Sequence, residues 1–324
     1  MDDHGCTRTS ITADPQSATG VMEKALTGLL EILPQVEELP PAPFQEILYR
    51  RLAVLEEASR PLSAEHRREW MERVFATVAP VLETSPAVAR VRQRPRGYMG
   101  DFRMMEDIYR HADGANGMGG WSRIYQTLPA VQAVRNRKAF FVTLFGEMVS
   151  AGREEIRLLD VGSGPAREVV EAIETHHPDP HRTVIDLVDT DDEALQHATT
   201  LLKPRIADGQ VVNIHQRNVV GFRPRGSYDL IWSAGLFDYL EDRIAVSLLR
   251  RLWPRLAEGG RLVVGNFHPR NPTRTIMEWL GGWFLIHRTE AELLSLAASA
   301  GIPATACQIN TEPLGINCFL VAAR

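Results

Sequence analysis

Cysteine is scarce in this 324-residue chain. Cys6, Cys307 and Cys318 are too few and too scattered for a zinc site or a disulfide framework, so no metal site is expected. A reducing, cytoplasmic compartment is the corresponding expectation. Excess positive charge is missing too. The chain has 36 Lys+Arg against 41 Asp+Glu, a formal net charge of −5, and both halves are mildly acidic. No basic field points to a nucleic-acid partner. Long apolar runs are also absent. The strongest, 279–286, falls far short of the roughly 18 residues that suggest a membrane span. Residues 1–17 are polar and lack the apolar segment of a signal peptide. No internal repeat or low-complexity tract occurs. With 44% hydrophobic and 24% charged residues, the composition is that of a globular chain and excludes a disordered one. The length suits about two domains.

The first half reads as helical. Met22, Leu26, Leu29, Leu30 and Leu33 share one face, and Pro34 ends it. Phe44, Ile47, Leu48, Leu52 and Leu55 repeat the spacing. Ser63 is a candidate N-cap for a third helix striped by Trp70, Val74, Val78 and Leu82. These stripes read as packing core. Residues 90–120 read as irregular, and a helix is expected over 131–149. From residue 156 the texture changes. Strands are expected at 157–161, 183–188, 211–215, 228–233, 261–266, 303–309 and 317–322. Helices are expected at 166–175, 192–202, 243–256 and 289–300. Strands alternating with helices predict an α/β fold with a parallel, doubly wound sheet.

The most informative segment is Asp160-Val-Gly162-Ser163-Gly164-Pro-Ala-Arg167, between the first such strand and its helix. Gly162 and Gly164 let a backbone approach a ligand without a Cβ. A dinucleotide fingerprint needs a third glycine, and Arg167 stands there instead. An acid ahead of the loop suits a cationic aminoacyl group, as in S-adenosylmethionine (SAM), better than a pyrophosphate. Asp189 ends the second strand, where a carboxylate can take two ribose hydroxyls. Its alternative is an N-cap, a role that Asp191 fits better. Asn218 follows the third strand and reads equally as an adenine contact or a turn residue.

With these motifs, Tyr228-Asp229, Gly259-Gly260 and a final antiparallel pair, residues 156–324 resemble a class I SAM-dependent methyltransferase domain. The resemblance implies a Rossmann-like, seven-stranded sheet, SAM as co-substrate, and Ser233 on the rim of the SAM site. Arg96-Gly-Tyr98-Met-Gly-Asp101-Phe102, Tyr109, Val134-Arg135-Asn136-Arg137, Asn266-Phe-His268-Pro269, Met277-Glu278-Trp279, His287-Arg288 and Leu314-Gly-Ile-Asn317 carry a narrower likeness. They resemble the bacterial extracellular-factor, 3-hydroxypalmitic acid methyl ester biosynthesis family. Its relatives include methyltransferase-like enzymes that cyclise SAM to azetidine-2-carboxylate. The domain expectation is a mobile stretch over 1–20, a helical cap over 21–155 and the SAM-binding domain over 156–324.

On this reading Tyr98 or Tyr109 supplies an aromatic wall for the sulfonium, and Asp101 meets the amino group of SAM. Tyr98 reads alternatively as core, and Asp101 as a turn or N-cap residue. Arg135 and Arg137 point to different sides of a helix. Arg135 is the expected partner of the SAM carboxylate, with a solvated surface arginine as its alternative. Asp238 and Tyr239 follow the fourth strand, where ligands bind in such sheets, and are candidate substrate contacts. His268 ends the fifth strand and is a candidate base or substrate ligand. Trp279, Trp283, Phe284 and Leu285 read as packing or as an apolar acceptor channel. The expected activity is O-methylation of a carboxylate or hydroxyl on a small or lipid-like acid, with SAM cyclisation as the alternative. A SAM-binding protein without turnover and a nicotinamide-dependent oxidoreductase are weaker readings. No oligomeric state is implied.

Overall fold

The computed structural model describes residues 15–111, 118–206 and 210–324. Cys6, most of the 1–20 stretch and residues 114–117 lie outside the described residues. Two compact units, interleaved in sequence, are present: 1–92 with 119–124 and 275–283, and 93–118 with 125–274 and 284–324.

The first unit is helical. It holds α1 (Pro15–Leu30), α2 (Pro41–Ser59), α3 (Ala64–Leu82) and most of α4 (Pro86–Gln93). Met22, Leu26, Leu29, Leu48, Leu52, Val74 and Val78 are buried, so the periodic stripes are core. Ser63 caps α3 through the His66 N–H. A π-helical turn (Ile276–Leu280) belongs to the same unit. Its Trp279 is fully buried and donates to Glu56 Oε2 at 2.7 Å, so this part of the aromatic insertion packs. Arg92, also buried, bonds Glu83 and the carbonyls of Phe75 and Leu280. Sequence periodicity could not find it, because a basic residue within a short helix looks solvated.

The second unit carries α5 (Phe102–Arg110), the end of α6 (Gly120–Thr127), α7 (Pro129–Ser150) and the whole sheet. The strands are β1 (Ile156–Val161), β2 (Thr183–Asp189), β3 (Val211–Gln216), β4 (Tyr228–Ala234), β5 (Leu256–Phe267), β6 (Cys307–Thr311) and β7 (Asn317–Ala323). Their order is β3-β2-β1-β4-β5-β7-β6. β1 to β5 run parallel, and β7 is antiparallel to both its neighbours. The sheet is therefore the seven-stranded, Rossmann-like one expected. α5 falls inside the 90–120 segment expected to be irregular. At nine residues its stripe is too short to show a helical period. β5 begins at Leu256, five residues before the expected start, and runs through Gly259-Gly260.

One sheet face packs Leu158, Ile185, Trp232, Val263 and Phe319 against Phe141 and Phe145 of α7 and against α8 (Arg167–His176) and α9 (Asp192–Leu202). The other packs Leu159, Val161, Ile231 and Leu262 against α10 (Asp242–Leu252) and α11 (Glu290–Ser299). Each such side chain contributes about 1.5–3 kcal/mol when fully buried. Thr289 and Glu292 form a capping box that starts α11.

Arg288, just before α11, ties the loop after β4 to the end of β5. Its guanidinium donates to the carbonyls of Phe237 (2.7 Å) and Leu240 (2.5 Å), to Asn266 Oδ1 (2.8 Å) and to Asp242 (2.7 Å). Its backbone N–H reaches Phe267. Arg288→Met strands several buried acceptors at once. We expect a stability loss of about 3 kcal/mol, read as a lower urea midpoint with an unchanged slope.

Candidate functional site

The loop after β1 is built for a close backbone approach. Gly162 has φ +75° and Gly164 φ +51°, values that disfavour any side chain. The N–H groups of Gly162 and Ser163 both donate to Val188 O, which hangs the loop on β2. Ala166 adopts a left-handed conformation and begins α8. Asp160, just ahead of the loop, is 1% exposed, and its Oδ2 has no hydrogen-bond partner among the described residues. Burial, reinforced by Glu168 and Asp189, pushes its pKa well up, against the pull of Arg137. Ser163 Oγ is likewise buried without a partner. Carboxylates are rarely left this way unless something else meets them.

Asp189, at the end of β2, accepts N–H bonds from Gly164 (2.8 Å) and Asp191 (2.9 Å). Each oxygen keeps lone pairs for a diol. Burial raises its pKa, and these backbone donors hold it partly down. Asp191 takes the capping role, accepting from Glu193 and Ala194 N–H. It is also clasped by Arg96 (2.8 and 2.5 Å) and the Tyr98 hydroxyl. These partners outweigh burial and hold its carboxyl below the usual range. Tyr98 thus lies beside the Asp189–Asp191 end of β2, with its hydroxyl anchored there. Asp101 caps α5 through the Met104 N–H at 3.0 Å, so the N-cap reading is the one the structure shows.

Arg135 is corrected. Its guanidinium donates to the carbonyls of Ile108 and Gln126 and to the Gln126 side chain, joining α5, α6 and α7. These bonds take three of its five N–H groups. Arg137, two residues on, is the arginine that faces the strand ends. It is buried, with one long contact to Met105 Sδ (3.6 Å) and a bond to Tyr109, and lies near Glu168 and Asp238. A Cβ on Gly235 would come within 2.9 Å of its guanidinium. Gly235 (φ +91°) therefore makes room for it in the loop after β4. Arg167, where a dinucleotide loop would carry glycine, makes a two-pronged pair with buried Glu106 at 2.7 and 2.6 Å, joining α8 to α5.

The remaining candidates divide. Asp238 is buried, accepts the Phe267 N–H at 2.7 Å, and is pushed up to about 6 by burial. Tyr239 follows it on the rim and is part-exposed. Ser233 is buried, and its hydroxyl is spent on Val161 O at 2.7 Å, a strand-to-strand tie. Asn218 is exposed and accepts the Val220 N–H, forming a turn. His268 has both nitrogens engaged: Nδ1 accepts from Arg270 N–H, and Nε2 meets Glu290 at 3.0 Å. That accounting leaves it no free lone pair for a base. His268, Glu290 and Cys318 do bring ligand-type atoms within 4.8 Å of one another. Burial pushes the Cys318 thiol up to about 11. Asn317, at the start of β7, is 1% exposed, and both its side-chain polar atoms lack partners among the described residues. Its alternation in the strand gave no sign of this.

At the strand ends, then, lie a glycine loop in left-handed conformation, a buried carboxylate with one oxygen unpartnered among the described residues, and a second carboxylate with free lone pairs. That donor set suits a ligand carrying a cation beside a ribose diol. Residues 159–262 match the family model described as a methyltransferase domain. No curated protein matches the chain. Among solved structures, a protein described as a possible exported protein from Bordetella parapertussis superposes with a TM-score of 0.61 at 18% identity, over 96% of this chain and 99% of that one. A magnesium protoporphyrin IX methyltransferase from Synechocystis, solved with bound S-adenosylhomocysteine, superposes with a TM-score of 0.50 at 13% identity, over 74% of this chain and 99% of that one. No described helix is long and apolar enough to cross a membrane. Residues 159–262 thus match a methyltransferase domain, carried on a Rossmann-like seven-stranded sheet.

Proposed function

We propose that the chain methylates a carboxylate or hydroxyl on a small or lipid-like acid, in the manner of the extracellular-factor methyl ester family. The observation that carries the reading is the buried Asp160 carboxylate just ahead of the glycine loop, whose Oδ2 has no partner among the described residues. In this reading Asp189 takes the ribose hydroxyls, Asp160 faces the aminoacyl cation, and Arg137 pairs with the aminoacyl carboxylate through its guanidinium fork. When bound, SAM supplies a methyl group already activated on a sulfonium. The protein's share is alignment and the exclusion of water. A cytoplasmic location goes with the reading, because the reaction consumes the intracellular SAM supply.

The cyclisation alternative requires a neutral amine on SAM. Incubation with SAM alone, followed by mass spectrometry, separates the two. We expect no turnover without acid, and S-adenosylhomocysteine plus a methylated product with it. Methylthioadenosine and a cyclic amino acid from SAM alone would sink methyl transfer.

A ligand-truncation experiment checks the binding roles. S-adenosylhomocysteine carries the aminoacyl carboxylate, and methylthioadenosine lacks it. By calorimetry, Asp189→Ala is expected to weaken both by about tenfold or more, the scale of a lost charge-assisted bond. Arg137→Gln is expected to weaken only S-adenosylhomocysteine, by about tenfold. Retained methylthioadenosine binding shows that the variant is folded. Equal losses for both ligands would remove Arg137 from the carboxylate.

A further inference from the structure

We propose that the protein carries a second small-molecule site, for a diphosphate group, on the sheet face over β2 and β3. The proposal goes beyond the methyl-transfer reading and does not rest on it.

The fold leaves a gap on one sheet face. Leu159, Val161 and Ile231 of that face are buried under α10 and α11. By register, Asp186 of β2 and Asn213 of β3 continue the face outward from Leu159. Among the described residues no helix joins β3 to β4, and residues 217–227 cross as a loop. Between that loop and the strands lies a cavity of about 450 Å³. Its size is that of a small-molecule site. Arg157, Asp186, His215, Arg217, Arg223 and Arg225 line it. Gly162, Gly164 and Asp189 do not, so the cavity is separate from the SAM loop.

The lining is unbalanced in charge. Asp186 is 5% exposed and is already engaged by His215, whose Nε2 lies 2.7 Å from its Oδ1. Arg217, Arg223 and Arg225 have no ion pair among the described residues, and Arg217 bonds the carbonyl of its neighbour Gln216 at 3.2 Å. Arg157 Nε is buried without a partner among the described residues, and its ion pair with Glu155 is long, at 3.5 Å. Arg251 adds a fifth cation behind the loop, with its pKa lowered by burial and then by Arg223. Four guanidinium groups against one carboxylate exceed what a single phosphate, at about −1.5 to −2, offsets. Two linked phosphates match them better. Guanidinium forks also pair with phosphate oxygens two at a time.

The loop is fixed before any ligand arrives. Arg217 N–H donates to Asp189 O at 2.8 Å, and the N–H groups of Gly221 and Phe222 both donate to Asn218 O at 3.0 Å. Arg251 donates to the carbonyls of Val219 and Val220. The Phe222 ring lies 5.4 Å from that of His215, which pins the loop to β3. The Tyr228 hydroxyl donates to Arg225 O at 3.2 Å, at the loop's far end. A backbone already ordered costs less to order on binding.

Calorimetry of the full chain with pyrophosphate tests the site, with and without saturating S-adenosylhomocysteine. We expect one pyrophosphate per chain at equal affinity in both, and orthophosphate at least about tenfold weaker. Arg223 and Arg225 are exposed, so their replacement leaves the core intact. Arg223→Ala and Arg225→Ala should each weaken pyrophosphate by about tenfold or more, the scale of a charge-assisted hydrogen bond. Arg243→Ala, at an exposed position of α10 outside the cavity, removes the same charge and should leave pyrophosphate binding unchanged. All three variants should keep their affinity for S-adenosylhomocysteine, which reports the fold. No pyrophosphate binding at millimolar concentration overturns the proposal. So does orthophosphate binding as tightly, an equal loss in all three variants, no loss in Arg223→Ala and Arg225→Ala, or displacement by S-adenosylhomocysteine. Each of these outcomes leaves methyl transfer standing.

Discussion

A carboxylate buried with one oxygen unmatched is costly, and Asp160 is such a group. Much of the site is arranged around that imbalance. The glycine loop closes over Asp160, and Glu168 and Asp189 add negative charge. Arg137 is the cation that partly answers them. Burial and mutual repulsion therefore suppress the ionisation of these acids, and a sulfonium or ammonium beside them would restore it. Binding energy of this kind is stored in the fold before any ligand arrives, which is how electrostatic preorganisation works.

The opposite half of the rim has different logic. Arg288 fastens the loop after β4 to the end of β5 through carbonyls and Asn266. That scaffold sets Asp238 against the Phe267 N–H. Gly235, in the loop after β4, leaves room for the Arg137 guanidinium.

Much of this was legible in the chain itself. The spacing of Asp160, Gly162 and Gly164, and Asp189 at a strand end, pointed to the SAM site, because local backbone chemistry demands those residue types. The sheet order followed from alternating periods and the final antiparallel pair. Less could be read where tertiary accounting decides. Arg135 and Arg137 look alike on a helix, and only the carbonyls of Ile108 and Gln126 show that one is spent. Ser233, Asp101 and His268 were ligand candidates by position, and the bonds they make to Val161, Met104, Arg270 and Glu290 are tertiary facts that position does not display. Asn317 read as the first residue of a strand, and no sequence pattern displays that its buried amide lacks a partner among the described residues.

The most direct test of the account is the proton balance of ligand binding. If Asp160 is held protonated by burial, a cation placed beside it must drive its proton off. Binding then releases a proton, and affinity rises with pH. Calorimetry of SAM in buffers of different ionisation heat reads this number. The account predicts net proton release that disappears in Asp160→Asn. Proton uptake, or release unchanged in that variant, would contradict it.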